Sequence, residues 1–363
     1  MHRRVEWTLK FRTIALVAMI IPCAGCSQSQ PFIKGVDLSI LKEAEDHGVQ
    51  FKFDGKPTDA MEIFKQSGCN WVRLRLFVDP PGTEGQVNTL EYTLAMARRL
   101  KREHLKLLLD FHYSDRWADA EHQDLPSAWA DLTHEQLVQR VHDYTAGTLK
   151  SFAAAQCLPD MVAIGNEISN GMMWPDGGPL TDQARWPALI DLLKAGARAV
   201  REASTGKSIR IMIHLDKGGN PEISEAFFNR CQKSQVDFDV IGLSYYPFWQ
   251  ASLDDLQGNL IALSNKYNKD IAVAETDYNY CGEAGNLPYP CTPVGQKQFL
   301  EKLMKVVAAT PGGHGIGVIY WEPAWIDGAK WNGPNWSPEW EQRALFDKDG
   351  NALPALSVFK SEP

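Results

Sequence analysis

The sequence lacks any basic excess. Its 37 Lys and Arg stand against 45 Asp and Glu, a net charge of −8 over 363 residues, so the electrostatic footprint of a nucleic-acid binder is missing. It lacks metal-site spacing as well. Beyond the N-terminal segment, none of its Cys falls in a CxxC or Cys/His pattern, and no metal or other cofactor is expected. After residue 33 no Pro/Ser/Gly-rich linker or short-period repeat divides the chain, which argues for one domain at a length that α/β barrels commonly reach. The N-terminal apolar run Ile14–Ile21 is too short to cross a bilayer. What is present is an ordinary 44% of hydrophobic residues, enough for a full core, together with 12 Trp. Trp packs cores, and it also stacks on flat ligand faces such as sugar rings.

The N-terminus reads as a targeting segment. His2, Arg3, Arg4, Lys10 and Arg12 precede the apolar run, the order of a signal peptide over residues 1–26. Cys23-Ala-Gly-Cys26-Ser27 resembles a bacterial lipobox with Cys26 as the lipidated residue. Cys23 occupies the place where a lipobox usually has an aliphatic residue, so cleavage by the ordinary signal peptidase stands as the alternative. Ser27 resembles a signal for the outer membrane, and residues 27–32 make a short tether. The expectation is an exported monomer, either held to an outer membrane or cell surface by lipid, or periplasmic or secreted. Cys69, Cys157 and Cys231 lie in or beside apolar segments and should be buried thiols. Cys281 and Cys291 bracket a short loop, and export permits a disulfide there.

From residue 33 onward short apolar runs alternate with helical patterns. Strands are expected over 33–37, 70–76, 105–111, 161–166, 209–213, 240–244, 271–274 and 316–321. Helical patterns fall over 59–67, 91–103, 135–155, 186–203, 222–233, 253–265 and 295–309. This alternation predicts an α/β fold, a single (β/α)8 TIM barrel over 33–363. The strand ends carry Asp37, Arg73 with Arg75, Asp110 with His112, Asn166 with Glu167, His214, Tyr245 with Tyr246, Glu275, and Trp321 with Glu322. In a barrel those ends share one mouth, where catalytic groups gather. One polar strand end is a cap or a turn; eight converge on a pocket.

Two carboxylates on two strand ends suit the cleavage of a glycosidic bond, which needs one protonated acid and one ionised carboxylate. Glu167 is assigned as acid/base and Glu275 as nucleophile, and a retaining enzyme would hold them about 5–5.5 Å apart. Asn166 fits a group that holds the sugar 2-hydroxyl. Arg75 and Tyr245 or Tyr246 are placed to keep Glu275 ionised. On a strand Arg73 and Arg75 share one face and Leu74 and Leu76 the other; for Arg73, stabilising buried carboxylates and a role in the site both remain open. Asp110, His112, Asp115 and Trp117 form a dense polar and aromatic stretch, with Asp115 also readable as a cap. His112 and His214 are expected to hydrogen-bond sugar hydroxyls or orient a Glu. Trp321, Trp325, Trp331, Trp336 and Trp340 crowd the last loop, with Trp321 expected in the site and at least two of the others structural.

At these residues the chain resembles family 53 of the glycoside hydrolases, the endo-β-1,4-galactanases. The resemblance runs from Lys34 to Phe359 and rests on motifs in order, among them Lys34-Gly-Val-Asp-Leu-Ser39, Trp71-Val-Arg-Leu-Arg-Leu76, Asp110-Phe-His-Tyr-Ser-Asp115, Gly165-Asn-Glu-Ile-Ser-Asn-Gly171, His214-Leu-Asp-Lys-Gly-Gly-Asn220, Asp239–Trp249, Val273-Ala-Glu-Thr276 and Tyr320-Trp-Glu-Pro-Ala-Trp-Ile326. It implies Glu167 as proton donor, Glu275 as nucleophile and β-1,4-galactan of type I arabinogalactan as substrate, cut internally. Departures fall at Phe77, Ala120-Glu-His122, Asp277 and Asn279, and bear on subsite preference. Some bacterial members hold calcium after strands seven and eight; here the Cys281–Cys291 segment is expected to do that tethering, without calcium. Other members of the same clan share the barrel and both Glu residues. A surface glycan-binding lipoprotein would have no reason to keep the ionisable pair.

Overall fold

The computed structural model describes residues 31–363 other than Thr205, Gln250 and 329–337, and His2. The signal segment, Cys26, residues 27–30 of the tether, Trp331 and Trp336 lie outside the described residues. Residues 1–31 separate from Phe32–Pro363 as a unit of their own. Among the described residues no helix is long and apolar enough to cross a membrane.

Eight parallel strands close into a barrel: β1 (Ile33–Asp37), β2 (Trp71–Leu76), β3 (Lys106–Phe111), β4 (Met161–Ile164), β5 (Arg210–Leu215), β6 (Val240–Ser244), β7 (Asp270–Glu275) and β8 (Gly315–Tyr320). They run in sequence order around the barrel, with β1 paired to both β2 and β8. Helices cover the outside: α1 (Leu41–Asp46), α2 (Ala60–Gln66), α3 (Leu90–Arg102), α4 (His134–Ala154), α5 (Trp186–Ala203), α6 (Pro221–Lys233), α7 (Leu253–Tyr267) and α8 (Pro293–Ala308). The expected barrel is present. The short α1 and the hairpin of Lys52–Phe53 with Lys56–Pro57 were not legible in the pattern.

Strand alternation sorts the side chains into two zones. Ile33, Trp71, Leu108, Met161, Met212, Val240, Ala272 and Ile319, one from each strand, meet inside the barrel and plug it. Their neighbours Val72, Leu74, Leu76, Val162 and Ile164 face outward and join the larger core under the helices. On β2 the inward face therefore runs from Trp71 to Arg73 to Arg75, rising from the plug toward the mouth. Burying each aliphatic side chain is worth about 1.5–3 kcal/mol. Burying a cation costs several kcal/mol even after relaxation, so the two Arg are tolerated only because many apolar neighbours and acidic partners offset them.

The chain leaves β4 abruptly. Gly165 has φ 82, and a Cβ there would stand 2.7 Å from Ile168 Cγ2, so glycine is required at this turn. Strand β4 accordingly ends at Ile164 rather than at residue 166. Helix starts are fixed locally, α4 by a capping box of Thr133 and Gln136 and α6 by Asn220, whose side chain accepts from Ile223 N. Long segments follow β3, β4, β7 and β8, whereas short turns lead into most strands. The fold thus builds a deep opening at the strands' C-terminal ends.

Candidate active site

A cleft of about 1300 Å³ occupies the mouth, and both Glu167 and Glu275 line it. The two carboxylates reach it by different backbone devices. Alternation along β7 puts Ala272 and Ala274 inside the barrel, which would turn Glu275 outward. The pairing with β6 slips by one residue between Leu243 and Ser244, so that Ser244 faces Glu275. Such an irregularity re-aims the side chain that follows it. Glu167 instead sits in the left-handed region at φ 51, ψ 47, a conformation that costs a non-glycine residue about 1–3 kcal/mol.

Glu275 is 5% exposed and held on both oxygens. Arg73 Nη2 stands 2.6 Å from Oε1, and the Tyr246 hydroxyl donates to Oε2 at 2.8 Å. Burial raises its carboxyl to about 7, a rise that Arg73 and Tyr246 oppose and that Asp110 and Asp37 reinforce. Glu167 lacks the help of a cation. Burial lifts its carboxyl well above the usual range, and the charges of Glu275 and Asp216 lift it further. Among the described residues no cation pairs with Glu167; its Oε1 lies 2.5 Å from Ser244 Oγ. As pH rises through the pair, Glu275 ionises first and Glu167 keeps the proton.

Behind the two carboxylates lies a buried polar floor. Arg73 reaches Asp37 with Nη1, and with Nη2 it donates to Asp110 at 2.6 Å and to Asn166 Oδ1 at 2.8 Å. Arg75 pairs with Glu322 at 2.5 Å and lies 4.3 Å from the Trp117 ring centre. Burial works against the Asp110 charge, yet Arg73 and His112 bring its carboxyl down to about 2. Burial pushes Glu322 up to about 8 against the pull of Arg75. Burial, with Arg73 adding to it, lowers His214 to about 3. Two guanidinium groups thus face Asp37, Asp110, Glu275 and Glu322. Acids outnumber bases there, and burial favours the protonated form of Glu322 in particular.

Of the residues expected in the site, His112, Trp117, Asn166, Tyr246, Trp321 and Arg75 line the cleft with the two Glu. Asp37, Asp110 and His214 are fully buried beneath it and act on the lining groups. Four expectations are corrected. Arg73, not Arg75, reaches Glu275, because Arg75 lies one step higher and is taken by Glu322. Tyr245 faces away from the cleft: Ser244 and Tyr246 point inward, so Tyr245 turns out, donates to Ala251 O at 2.9 Å and stacks on Phe299 of α8. Asp115 is a cap, accepting from Asp79 N at 3.0 Å and Ser127 N at 2.8 Å. Cys281 and Cys291 are free thiols in the structure rather than a disulfide, and Cys291 Sγ donates to Glu283 O at 3.4 Å. Cys69, Cys157 and Cys231 are buried as expected.

The rim adds groups that the sequence did not single out. Trp249 is 66% exposed on the cleft edge, and the Arg343 guanidinium lies 4.9 Å from its ring centre and 4.5 Å from that of Phe248. Arg343 also approaches Asp277 at 3.4 Å. Trp321 and Trp340 line the cleft, while Trp325 is fully buried between Trp117 and Trp340. An exposed ring above paired acids is what a sugar chain needs for stacking. A run such as Tyr-Tyr-Pro-Phe-Trp249 just past a barrel strand was the available signal.

Known proteins share this architecture. The Glycosyl hydrolase family 53 model matches residues 33–359. An arabinogalactan endo-beta-1,4-galactanase of Cellvibrio japonicus is 34% identical over 376 residues, covering 98% of this chain and 98% of the relative. The family 53 catalytic domain of Ignisphaera aggregans superposes with a TM-score of 0.84 at 36% identity, covering 91% of this chain and 95% of that one. A solved fungal beta-1,4-galactanase gives 0.80 at 32% identity over 90% and 98% of the two chains. Likeness of this extent in both sequence and barrel, over the segment that forms the whole mouth, means that the chain belongs to glycosyl hydrolase family 53.

Proposed function

We propose that this protein hydrolyses β-1,4-galactosidic bonds within type I arabinogalactan by a retaining double displacement, with Glu167 as acid/base and Glu275 as nucleophile. The observation that carries this reading is the unequal setting of the two carboxyls in one cleft: Glu275 held by a cation and a phenol, Glu167 held by a hydroxyl and surrounded by acids. The galactan substrate is supported by the relatives' names and by the exposed aromatic rim.

In the first step Glu275 attacks the anomeric carbon while Glu167 gives its proton to the departing oxygen. Arg73 and Tyr246 keep the Glu275 charge available and fix the direction of attack. Loss of that charge on forming the glycosyl ester leaves Glu167 with fewer like-charged neighbours, which eases its ionisation. In the second step Glu167 takes a proton from water as its oxygen attacks the anomeric carbon of the glycosyl ester, and the bond from that carbon to Glu275 breaks to release the carboxylate. Asn166, fixed by Arg73 and Ala118 O, stands where a sugar 2-hydroxyl would be gripped. The basic and apolar N-terminal segment supports meeting this polymer outside the cytoplasm, with Cys26 as the lipid anchor.

The test is incubation with linear pectic galactan. Wild-type protein should release short galacto-oligosaccharides whose first-formed anomer, followed by NMR, is β. Binding of galactan without release of sugar, by wild type as much as by Glu275→Ala, would mean a binding protein instead.

A further inference from the structure

Four side chains join Glu275 to Glu167 through the floor of the barrel in an unbroken series: Arg73, Asn166, His214 and Ser244. We propose that Ser244 and His214 are positioning residues that hold the proton on Glu167 in the free enzyme. The proposal rests on the reading of Glu167 as the acid.

The series can be followed one hydrogen at a time. Asn166 Nδ2 donates to Ala118 O at 2.8 Å, so its Oδ1 is the atom facing Arg73 and His214. An oxygen acceptor 2.9 Å from His214 Nδ1 requires that nitrogen to carry hydrogen. His214 is fully buried, with Arg73, Asp110 and His112 as the charged and titratable groups around it. Burial and the Arg73 charge keep the ring neutral, which leaves Nε2 as an acceptor, 2.9 Å from Ser244 Oγ. Ser244 is also fully buried and has one proton to give. Given to Nε2, it leaves only lone pairs toward Glu167 Oε1, and a contact of 2.5 Å there is attractive only if Glu167 is the donor.

Protonated Glu167 therefore completes the series with every donor matched. Ionised Glu167 would pull the Ser244 hydroxyl toward itself and leave Nε2 bare, or would need a second proton on His214 beside Arg73. The groups that face Glu167 from other elements, Glu275, Asp216 and Asp119, also oppose ionisation. When the proton leaves for a glycosidic oxygen, the Ser244 hydroxyl swings to Glu167. It swings back once water has restored the proton, so Ser244 itself loses and gains nothing.

The sign of one shift decides the matter. Carboxyl carbon NMR on 13C-Glu protein, with the Glu167 signal assigned by Glu167→Gln, gives its titration midpoint without turnover. In Ser244→Ala the midpoint should fall by about 0.4–1 pH unit, the size expected for one lost hydrogen bond. The basic limb of kcat/KM should move to lower pH by the same amount. Ser244→Thr, which keeps the hydroxyl, should stay at the wild-type midpoint. An unchanged or higher midpoint in Ser244→Ala would mean that Ser244 donates to a carboxylate, and the proposal fails; an equal fall in Ser244→Thr also overturns it. Because the midpoint needs no substrate, absence of galactan cleavage would sink the functional reading alone.

Discussion

The two walls of the cleft hold the same side chain in opposite ways. On the β7 side Glu275 is clamped by Arg73 and Tyr246, and its backbone is extended strand. On the β4 side Glu167 sits on a left-handed turn, meets Ser244 and looks across at three other acids. A carboxyl does not announce its role; the charge and hydrogen-bonding capacity around it assign the role. The clamped wall suits a group that must stay ionised and aimed. The unclamped wall suits one that must hold a proton and then give it up.

Exchanging the roles by chemistry gives the largest effect. Glu275→Ala and Glu167→Ala should each lose on the order of 10⁴-fold or more in turnover of galactan, and azide should then tell the walls apart. With Glu275→Ala, azide attacking from the vacated side should yield the α-galactosyl azide. With Glu167→Ala and an aryl galactoside, azide attacking the glycosyl ester should yield the β-anomer. The same anomer from both variants would contradict the assignment. Next comes the clamp. Arg73→Lys keeps a charge but cannot span Asp37, Asp110, Asn166 and Glu275 together, and kcat should fall about 10²–10³-fold; a change confined to KM would argue against a role in aiming Glu275.

Tyr246→Phe should cost about 10–100-fold, the value of one hydrogen bond to a charged group. It should also move the acid limb of kcat/KM to higher pH, because the lost donor had favoured ionised Glu275. An acid limb that stays in place would break the comparison from the other side. The smallest effect is on stability. Glu167→Asn relieves the left-handed strain and removes a carboxyl whose folded pKa is raised. Between the unfolded value and that raised one the native state binds more protons, so the wild-type protein loses stability as pH rises. The variant should therefore melt about 2–4 °C higher at neutral pH, with a gap that narrows on acidification; a gap independent of pH would leave backbone strain as the whole cause.

Much of this was legible from periodicity. Trp71-Val-Arg-Leu-Arg-Leu76 carries its inside and outside in plain alternation, and the same rule separates Tyr245 from Tyr246 once Ser244 is known to face inward. The barrel followed from eight such runs. Other features depend on contacts between distant residues. Glu275 enters the cleft through a slip in the β6–β7 register that alternation alone would deny. The choice between Arg73 and Arg75 was made by Glu322, some 250 residues away on a turn of positive φ. Ser244 ends an apolar strand and reads as a small filler until His214 and Glu167 are seen on either side of it.

The left-handed turn at Glu167 has a meaning for the lineage of such barrels. On the proposed reading, the acid of the reaction is a residue without which the fold would be more stable. A descendant that loses this carboxyl gains stability and keeps an aromatic-rimmed groove in which a glycan chain still fits. Drift from cutting a polysaccharide to merely holding one therefore runs downhill in folding, and selection for turnover is the force that opposes it.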